Sequence, residues 1–83
     1  MSIEVTYRGA LPELMGVSSE RVEAGTVAEV MAHIRKGFSR AAYREAKRML
    51  IVVNGESIQL SRGYKTALVE GDRLSFLPIC GGG

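Results

Sequence analysis

Hydrophobic and polar residues alternate in two parts of the chain. At positions 2–9, SIEVTYRG, apolar residues stand at every second position between charged and hydroxyl residues. At positions 73–78, RLSFLP, Leu74 and Phe76 point to one face of a strand and the residues between and after them to the other. A two-residue period is typical of a strand with one buried face. We therefore predict a strand in each part, with Phe76 in the core.

The hydrophobic period becomes helical in the middle of the chain. Thr26 followed three residues later by Glu29 is a capping box, and apolar residues then recur every three or four positions. We predict a helix from Val27 to about Lys36. A shorter second helix is predicted over RAAYREAKR at positions 40–48, where small and apolar residues share one side.

The segments between these elements carry turn and strand signals. ALPELMGVSS at positions 10–19 contains a proline and a glycine and is predicted to be a loop, followed by a short strand in ERVEAG at 20–25. MLIVV at 49–53 is a continuous apolar run rich in β-branched residues, which predicts a central strand buried on both faces. Asn54-Gly55 predicts a type I′ hairpin turn, from which ESIQL at 56–60 returns.

The order of predicted elements is strand, strand, helix, short helix, strand, strand and last strand. This order indicates an α+β fold with one main helix across a mixed sheet of four to five strands. The first and last strands can lie parallel, because the main helix supplies the crossover between them. Periodicity alone supports only a small α+β domain. The arrangement of these elements in one mixed sheet, with the last strand in the middle, rests on a resemblance to β-grasp proteins such as ubiquitin.

Composition narrows the class of protein. The chain has 83 residues, 46% of them hydrophobic, and a formal net charge of +2, which is typical of one small folded domain. A single cysteine excludes an internal disulfide and leaves too few ligands for a zinc cluster. We found no apolar window of membrane-spanning length and no signal-peptide pattern, so we expect a cytoplasmic protein that acts on neither membranes nor nucleic acid.

Positive charge is concentrated in one segment. Positions 35–48 hold six basic residues against one acid, a local charge of +5. A solvated helical face is the simpler interpretation, and docking to an acidic partner surface is the alternative. Nucleic-acid binding is weakly supported, because no aromatic residues are interleaved as a stacking platform. The lone His33, beside the apolar helix face, is interpreted as a packed or solvated residue.

The last ten residues, LSFLPICGGG, contain most of the final predicted strand, and the sequence ends with three glycines. Together with VVNGE at positions 52–56, EGDRLSFLP at 70–78 and the terminal Gly82-Gly83, this end of the chain resembles the MoaD/ThiS family of ubiquitin-like sulfur carriers. The resemblance covers nearly the whole chain, and the length is closer to MoaD, the small subunit of molybdopterin synthase. It implies a ubiquitin-like β-grasp domain at positions 1–78 and a flexible C-terminal tail at 79–83.

The resemblance also implies a function for the tail. An E1-like adenylating enzyme would use ATP to activate the carboxylate of Gly83, and a sulfurtransferase or other persulfide donor would convert the adenylate to a thiocarboxylate. The large molybdopterin synthase subunit, or an equivalent acceptor enzyme, would then receive the sulfur. Gly81 and Gly82 would thread into the partner, since glycine carries no Cβ and tolerates unusual backbone angles. The chain would be a carrier without catalysis of its own, without a bound metal and without a permanent cofactor.

Four residues before the glycines are the expected partner interface: Leu77, Pro78, Ile79 and Cys80. Cys80 has two interpretations, a small apolar residue in the stem of the tail or a thiol that reacts near the activated carboxylate. Two wider alternatives stay open. The first is that the same activation chemistry serves a different product: a sulfur carrier for thiamin, cysteine or another thio-metabolite, or a ubiquitin-like modifier that forms isopeptide bonds. A β-grasp interaction domain with an idle tail would also fit the pattern.

Overall fold

The computed structural model describes residues 1–79, which form a five-stranded mixed sheet packed against three helices. The elements in chain order are β1 Ser2–Tyr7, α1 Leu11–Met15, β2 Ser19–Glu23, α2 Val27–Gly37, α3 Arg40–Lys47, β3 Leu50–Val53, β4 Glu56–Ser57 and β5 Arg73–Leu77. Two single 3₁₀ turns, Ile58–Leu60 and Gly63–Lys65, lie between β4 and β5.

The last strand occupies the middle of the sheet. The spatial order is β2-β1-β5-β3-β4, with β5 parallel to β1 and antiparallel to β3. Every other neighbouring pair is antiparallel. The predicted parallel pairing of first and last strands is therefore confirmed, and the sheet is mixed as expected.

A row of side chains across the three inner strands forms the centre of the core. Tyr7 of β1 lies beside Phe76 of β5, which in turn lies opposite Ile51 of β3. All three are buried, and the rings of Tyr7 and Phe76 are 5.7 Å apart between centroids. The helices close this face of the sheet with buried residues on α2 (Val27, Val30, Met31, Ile34) and on α3 (Ala42, Ala46).

The predicted start of the main helix is confirmed, with a small shift in its cap. The hydroxyl of Thr26 accepts a hydrogen bond from the backbone N–H of Glu29 at 3.3 Å. The carboxylate of Glu29 reaches back to the N–H of Gly25, one residue before the position used in an ordinary capping box. The helix runs through Gly37, one residue beyond the predicted end.

Three sequence-based expectations were wrong. The predicted loop at 10–19 contains helix α1, whose proline stands in the first turn, where a missing N–H costs nothing. Burial of Leu11 and Met15 ties this short helix to the core. The second error concerns β3: Ile51 is buried, but Leu50 and Val52 on the other face are half-exposed, so β3 is covered on one face only. The predicted hairpin turn after β3 is confirmed by positive φ values at Asn54 and Gly55. The third error is the returning strand predicted at 56–60: β4 is only Glu56–Ser57, and Ile58–Leu60 form a 3₁₀ turn.

A polar cluster links the edge strand to the main helix. The carboxylate of Glu20 accepts a hydrogen bond from the Tyr7 hydroxyl at 2.6 Å and lies 2.9 Å from Nε2 of His33. Burial, and then the neighbouring Glu20, raise the pKa of the Tyr7 phenol well above its usual range. The rings of His33 and Phe38 also lie edge to face, and the His33 side chain is 36% exposed, so the residue is partly packed and partly solvated, within what was expected for it. Within residues 1–79 no helix has the length and apolar character needed to span a membrane.

Candidate docking site at the root of the tail

The surface around the end of β5 is apolar, although it lies outside the core. Leu77, the last residue of β5, points away from Phe76 and lies directly opposite Leu50 of β3. Pro78 and Ile79 follow it and are exposed, Ile79 by 66%. With Tyr64 from the second 3₁₀ turn, these residues make up what we call the tail-root surface: Leu50, Tyr64, Leu77, Pro78 and Ile79.

A groove of about 260 Å³ runs through this surface. Its walls come from the end of α3, from β3 and from the two 3₁₀ turns, and its lining includes Lys47, Leu50, Tyr64 and Ile79. Burial, and then the nearby Tyr43, raise the pKa of the Tyr64 phenol. Tyr64 is therefore neutral at physiological pH, so the groove combines apolar walls with a neutral hydroxyl and a single cation. Such a groove suits an apolar side chain or an extended segment of another protein.

Hydrogen bonds at the opposite end of β5 hold the strand that carries this surface. The Asn54 side chain donates to one carboxylate oxygen of Asp72 at 2.9 Å and accepts from the N–H of Arg73 at 3.0 Å. The second Asp72 oxygen accepts from the N–H of Val69 at 2.8 Å. These bonds join the β3–β4 hairpin turn to the turn before β5. Arg73, the first residue of β5, is thereby held against Asn54 in the hairpin turn.

Gly9 packs against the point where the chain leaves the sheet. Its φ of +64° is in the left-handed region, and a Cβ there would lie 3.3 Å from Cε of Met49 and 3.4 Å from Cβ of Pro78. Both the backbone angle and the close approach therefore favour glycine. Gly9 sets how closely Pro78 can lie against the domain.

Replacing Gly9 with alanine is expected to destabilise the fold and to move the root of the tail. Strain at positive φ costs about 1 kcal/mol, and the added Cβ also requires the tip of the Met49 side chain to shift, so we expect a loss in free energy of unfolding of roughly 1–2 kcal/mol. Urea unfolding measures the first effect, and backbone amide NMR shifts of Leu77 and Ile79 measure the second. Gly16→Ala is the matched control, because Gly16 has a φ of +79° with open space around it. Gly16→Ala should show the backbone strain alone. Equal losses of stability and equal NMR shifts at Leu77 and Ile79 in the two variants would contradict the packing of Gly9 against the root of the tail.

Comparison with known proteins assigns the chain to a family. The model of the ThiS family matches residues 5–83, which is nearly the whole sequence. The chain belongs to the ThiS family. The chain thus has the ubiquitin-like β-grasp fold and belongs to a family of ubiquitin-like sulfur carriers, as the sequence resemblance predicted.

Solved structures of other proteins share the fold of this chain. Small archaeal modifier protein 1 of Methanosarcina acetivorans superposes with a TM-score of 0.84 at 20% identity, over 99% of this chain and 96% of that one. A chain of the BexX/CysO complex of Amycolatopsis orientalis gives 0.82 at 23% identity, over 98% and 99%. A chain of the complex between subunits 1 and 2 of the molybdopterin-converting factor of Helicobacter pylori gives 0.73 at 25% identity, over 99% and 100%. Comparison with curated proteins finds no significant match.

The structure brings together the interface candidates that it describes. Leu77, Pro78 and Ile79 lie next to one another on the tail-root surface. Cys80, Gly81, Gly82 and Gly83 lie outside the described residues, as does all of the predicted tail at 79–83 except Ile79, so the domain boundary at 78 stays a prediction.

Of the residues that line the groove, sequence reasoning named only Ile79 as an interface candidate, and Lys47, Leu50 and Tyr64 are among those it missed. Leu50 had only part of a signal: strand alternation places it on the face opposite Ile51, but a continuous apolar run does not say which face is the core. Lys47 and Tyr64 had none, since they come from segments that only the folded chain brings together. Among residues 1–79 there is no group of three or more side chains placed to hold a metal ion.

Proposed function

We propose that this protein is a sulfur carrier whose C-terminal residue, Gly83, is adenylated by an ATP-dependent activating enzyme and converted to a thiocarboxylate. The observation that carries the proposal is the ThiS-family match, which continues through Gly83 and so includes the terminal glycines. The carrier contributes the carboxylate and a docking surface. Its partners contribute ATP, the sulfur donor and the catalytic groups.

The proposed chemistry explains why a carboxylate needs a partner enzyme. A carboxylate oxygen of Gly83 attacks the α-phosphorus of ATP, the bond to pyrophosphate breaks, and an acyl-adenylate forms. The terminal sulfur of a persulfide then attacks the acyl carbon, and the bond to AMP breaks. A thiol then attacks the donor's own cysteine sulfur in the resulting acyl disulfide. The S–S bond breaks, the terminal sulfur stays on Gly83 as a thiocarboxylate, and the donor cysteine and the thiol form a new disulfide. Cys80 has no required step in this sequence and is proposed only as part of the stem.

The tail-root surface supports the docking part of the proposal. Exposed apolar residues beside an extended chain end are typical of a surface that another protein covers. The related H. pylori and A. orientalis chains were both solved in complexes with another protein. We infer that Leu77, Pro78 and Ile79 pack against the activating enzyme and the sulfur acceptor, with Leu50 and Tyr64 completing the contact.

Replacing Leu77 with glutamate is expected to abolish tight docking. A buried charge at the centre of an apolar contact removes roughly 2–4 kcal/mol of binding free energy, which is about 30- to 1,000-fold in affinity. Calorimetric titration of the activating enzyme with each variant measures the loss. Val17→Glu is the matched control, because Val17 is an exposed apolar residue in the loop before β2. Unchanged affinity of Leu77→Glu would remove the tail-root surface from the interface.

For the sulfur acceptor, we propose the large subunit of molybdopterin synthase. The similarity to a chain of the H. pylori molybdopterin-converting factor complex supports this choice. The test is reconstitution: the thiocarboxylated protein is mixed with the large subunit and the pterin precursor, and the formation of dithiolene product is measured. Product formed at one sulfur per carrier supports the assignment. Transfer of sulfur only to a cysteine or thiamin precursor would assign the carrier to that other pathway.

A second candidate function, protein modification, is favoured by the similarity to small archaeal modifier protein 1. The adenylated glycine would then be attacked by a lysine amine of another protein, forming an isopeptide bond and releasing AMP. Intact-mass analysis after incubation with ATP, the activating enzyme, a sulfur donor and cell extract separates the two functions. Exchange of one oxygen for sulfur on the free protein indicates the carrier, whereas covalent conjugates of higher mass indicate the modifier.

A further inference from the structure

The most concentrated charge on the molecule lies on α2 and α3, away from the sheet. We call it the basic surface, and its six residues are all exposed: Arg35, Lys36, Arg40, Arg44, Lys47 and Arg48. Outside positions 35–48, five basic residues stand against eight acidic ones, so the rest of the chain is net negative. The protein is therefore strongly polarised although its overall charge is small.

The fold gathers these cations around one depression. A depression of about 450 Å³ is lined by the end of α2 and by one side of α3, and its lining residues are Arg35, Arg40, Tyr43, Arg44 and Lys47. Within residues 1–79, the only ion pairs join the terminal amine to Glu23 and His33 to Glu20. In this part of the chain the basic surface has no intramolecular counter-charge within ion-pair distance.

Local helix stability accounts for only part of the charge. Arg35 and Lys36 lie in the last turn of α2, and Arg44 and Lys47 in the last turn of α3, where positive charge interacts favourably with the helix dipole. Two features of α3 run the other way. Arg40 is the first residue of α3, and no acid occupies that first turn, so its charge opposes the helix dipole. Arg44 is four residues from both Arg40 and Arg48, which places like charges next to each other on the helix surface. Arg40 and the spacing of Arg40, Arg44 and Arg48 thus cost α3 some stability, which is expected where residues serve another purpose, such as contact with an external anion.

We propose that the basic surface is a second docking contact, which binds an acidic surface on the protein that adenylates the tail. This inference rests on the proposed function. Lys47 joins the two surfaces, because it lines both the basic depression and the groove that contains Ile79. A partner that covers the tail-root surface therefore also reaches the cations of α3. Opposite charge on that partner would speed encounter and fix the orientation in which the tail approaches ATP.

The surroundings of Tyr43 favour a protein over a nucleic acid. Single-stranded nucleic acids bind by stacking bases on free aromatic faces. Tyr43 is the one aromatic residue that lines the depression, it is half-buried, and the ammonium group of Lys47 lies 5.0 Å from its ring centroid. The ring is thus already engaged by a cation, which leaves charge and not stacking as the recognition element.

Charge reversal at Arg35 and Arg44 tests the proposal. Arg44→Glu turns two like-charge pairs of α3 into opposite-charge pairs, so the double variant R35E/R44E is expected to remain folded, which circular dichroism checks. Affinity for the adenylating enzyme of the same organism is measured by calorimetry as a function of salt. At ~50 mM salt we expect about tenfold weaker binding of the variant, and a smaller difference at ~0.5 M, where charges are screened. The matched control R21E/R62E changes the net charge equally, at two exposed arginines outside the basic surface.

Each result decides the proposal. Weak binding by R35E/R44E with near-normal binding by R21E/R62E supports it. Equal affinities of wild type and R35E/R44E, or equal losses in both variants, overturn it. Oligouridylate tests the alternative ligand. If the wild type binds it in a salt-sensitive way and more tightly than it binds the enzyme, and if R35E/R44E abolishes this binding, the ligand of the basic surface is a nucleic acid and not an acidic protein. The mass of the carrier after incubation with ATP and a sulfur donor reports the proposed function separately, since a protein can bind the enzyme without gaining sulfur.

Discussion

Deleting Gly82 and Gly83 is expected to abolish thiocarboxylate formation while leaving the folded domain intact. The shortened chain still ends in a glycine carboxylate, at Gly81, but that group is withdrawn by up to roughly 7 Å. Reacting atoms must approach within about 3–3.5 Å, and a misplacement of about 1 Å can cost 100-fold in rate. We expect no detectable sulfur transfer, measured as the oxygen-to-sulfur mass change on the intact protein.

The informative control for this deletion is partner binding. If Leu77, Pro78 and Ile79 form the interface, the shortened protein should still bind the activating enzyme within a few-fold of the wild-type affinity and should compete with it. Loss of sulfur transfer with retained binding would separate the roles of tail and domain. If the protein's function in the cell and its partner binding both survived the deletion, the sulfur-carrier function would be contradicted and an interaction domain with an idle tail would be favoured.

The sequence predicted those elements whose local signals agree with their tertiary surroundings. Alternation in β1 and β5, the capping box at Thr26 and the Asn54-Gly55 turn each have a short-range physical cause, and each was confirmed. Helix α1 was missed because five residues are too few to show a helical period and because Pro12 suggested a loop. Burial of its two apolar residues, which no local signal reports, stabilises it.

The error at β3 has the same origin and bears on function. A continuous apolar run predicts burial on two sides, but it does not say whether the second cover belongs to the same chain. Here Leu50 stays half-exposed on the outer face, opposite Leu77 at the root of the tail. An apolar run of this kind, with one face in the core and the other open, fits a strand that belongs both to the core and to a docking surface. The position of β5 in the middle of the sheet came from family resemblance, since no pattern within the strand specifies its neighbours.

Phe76→Ala is expected to cause the largest loss of stability among single substitutions in the domain. Phe76 is fully buried in the central strand, between Tyr7 on one side and Ile51 on the other. Truncating a buried phenylalanine costs about 3–5 kcal/mol, because the removed atoms leave a cavity that the neighbours fill only in part. For a domain of this size, that loss lowers the melting temperature by roughly 15–30 °C, which thermal unfolding followed by circular dichroism measures.

Its neighbour on the opposite face supplies the control. Ser75 belongs to the same strand and the same two backbone ladders, but its side chain points to the outer face and is half-exposed. Ser75→Ala therefore changes no core packing and should shift the free energy of unfolding by less than about 0.5 kcal/mol. Because the strand that ends at the tail root is also the one at the centre of the core, Phe76→Ala should impair sulfur loading at 37 °C through unfolding. Loading should recover on cooling below the melting transition. A loading defect that persists in the folded protein at low temperature would mean that Phe76 acts on the docking face directly, against the geometry of β5.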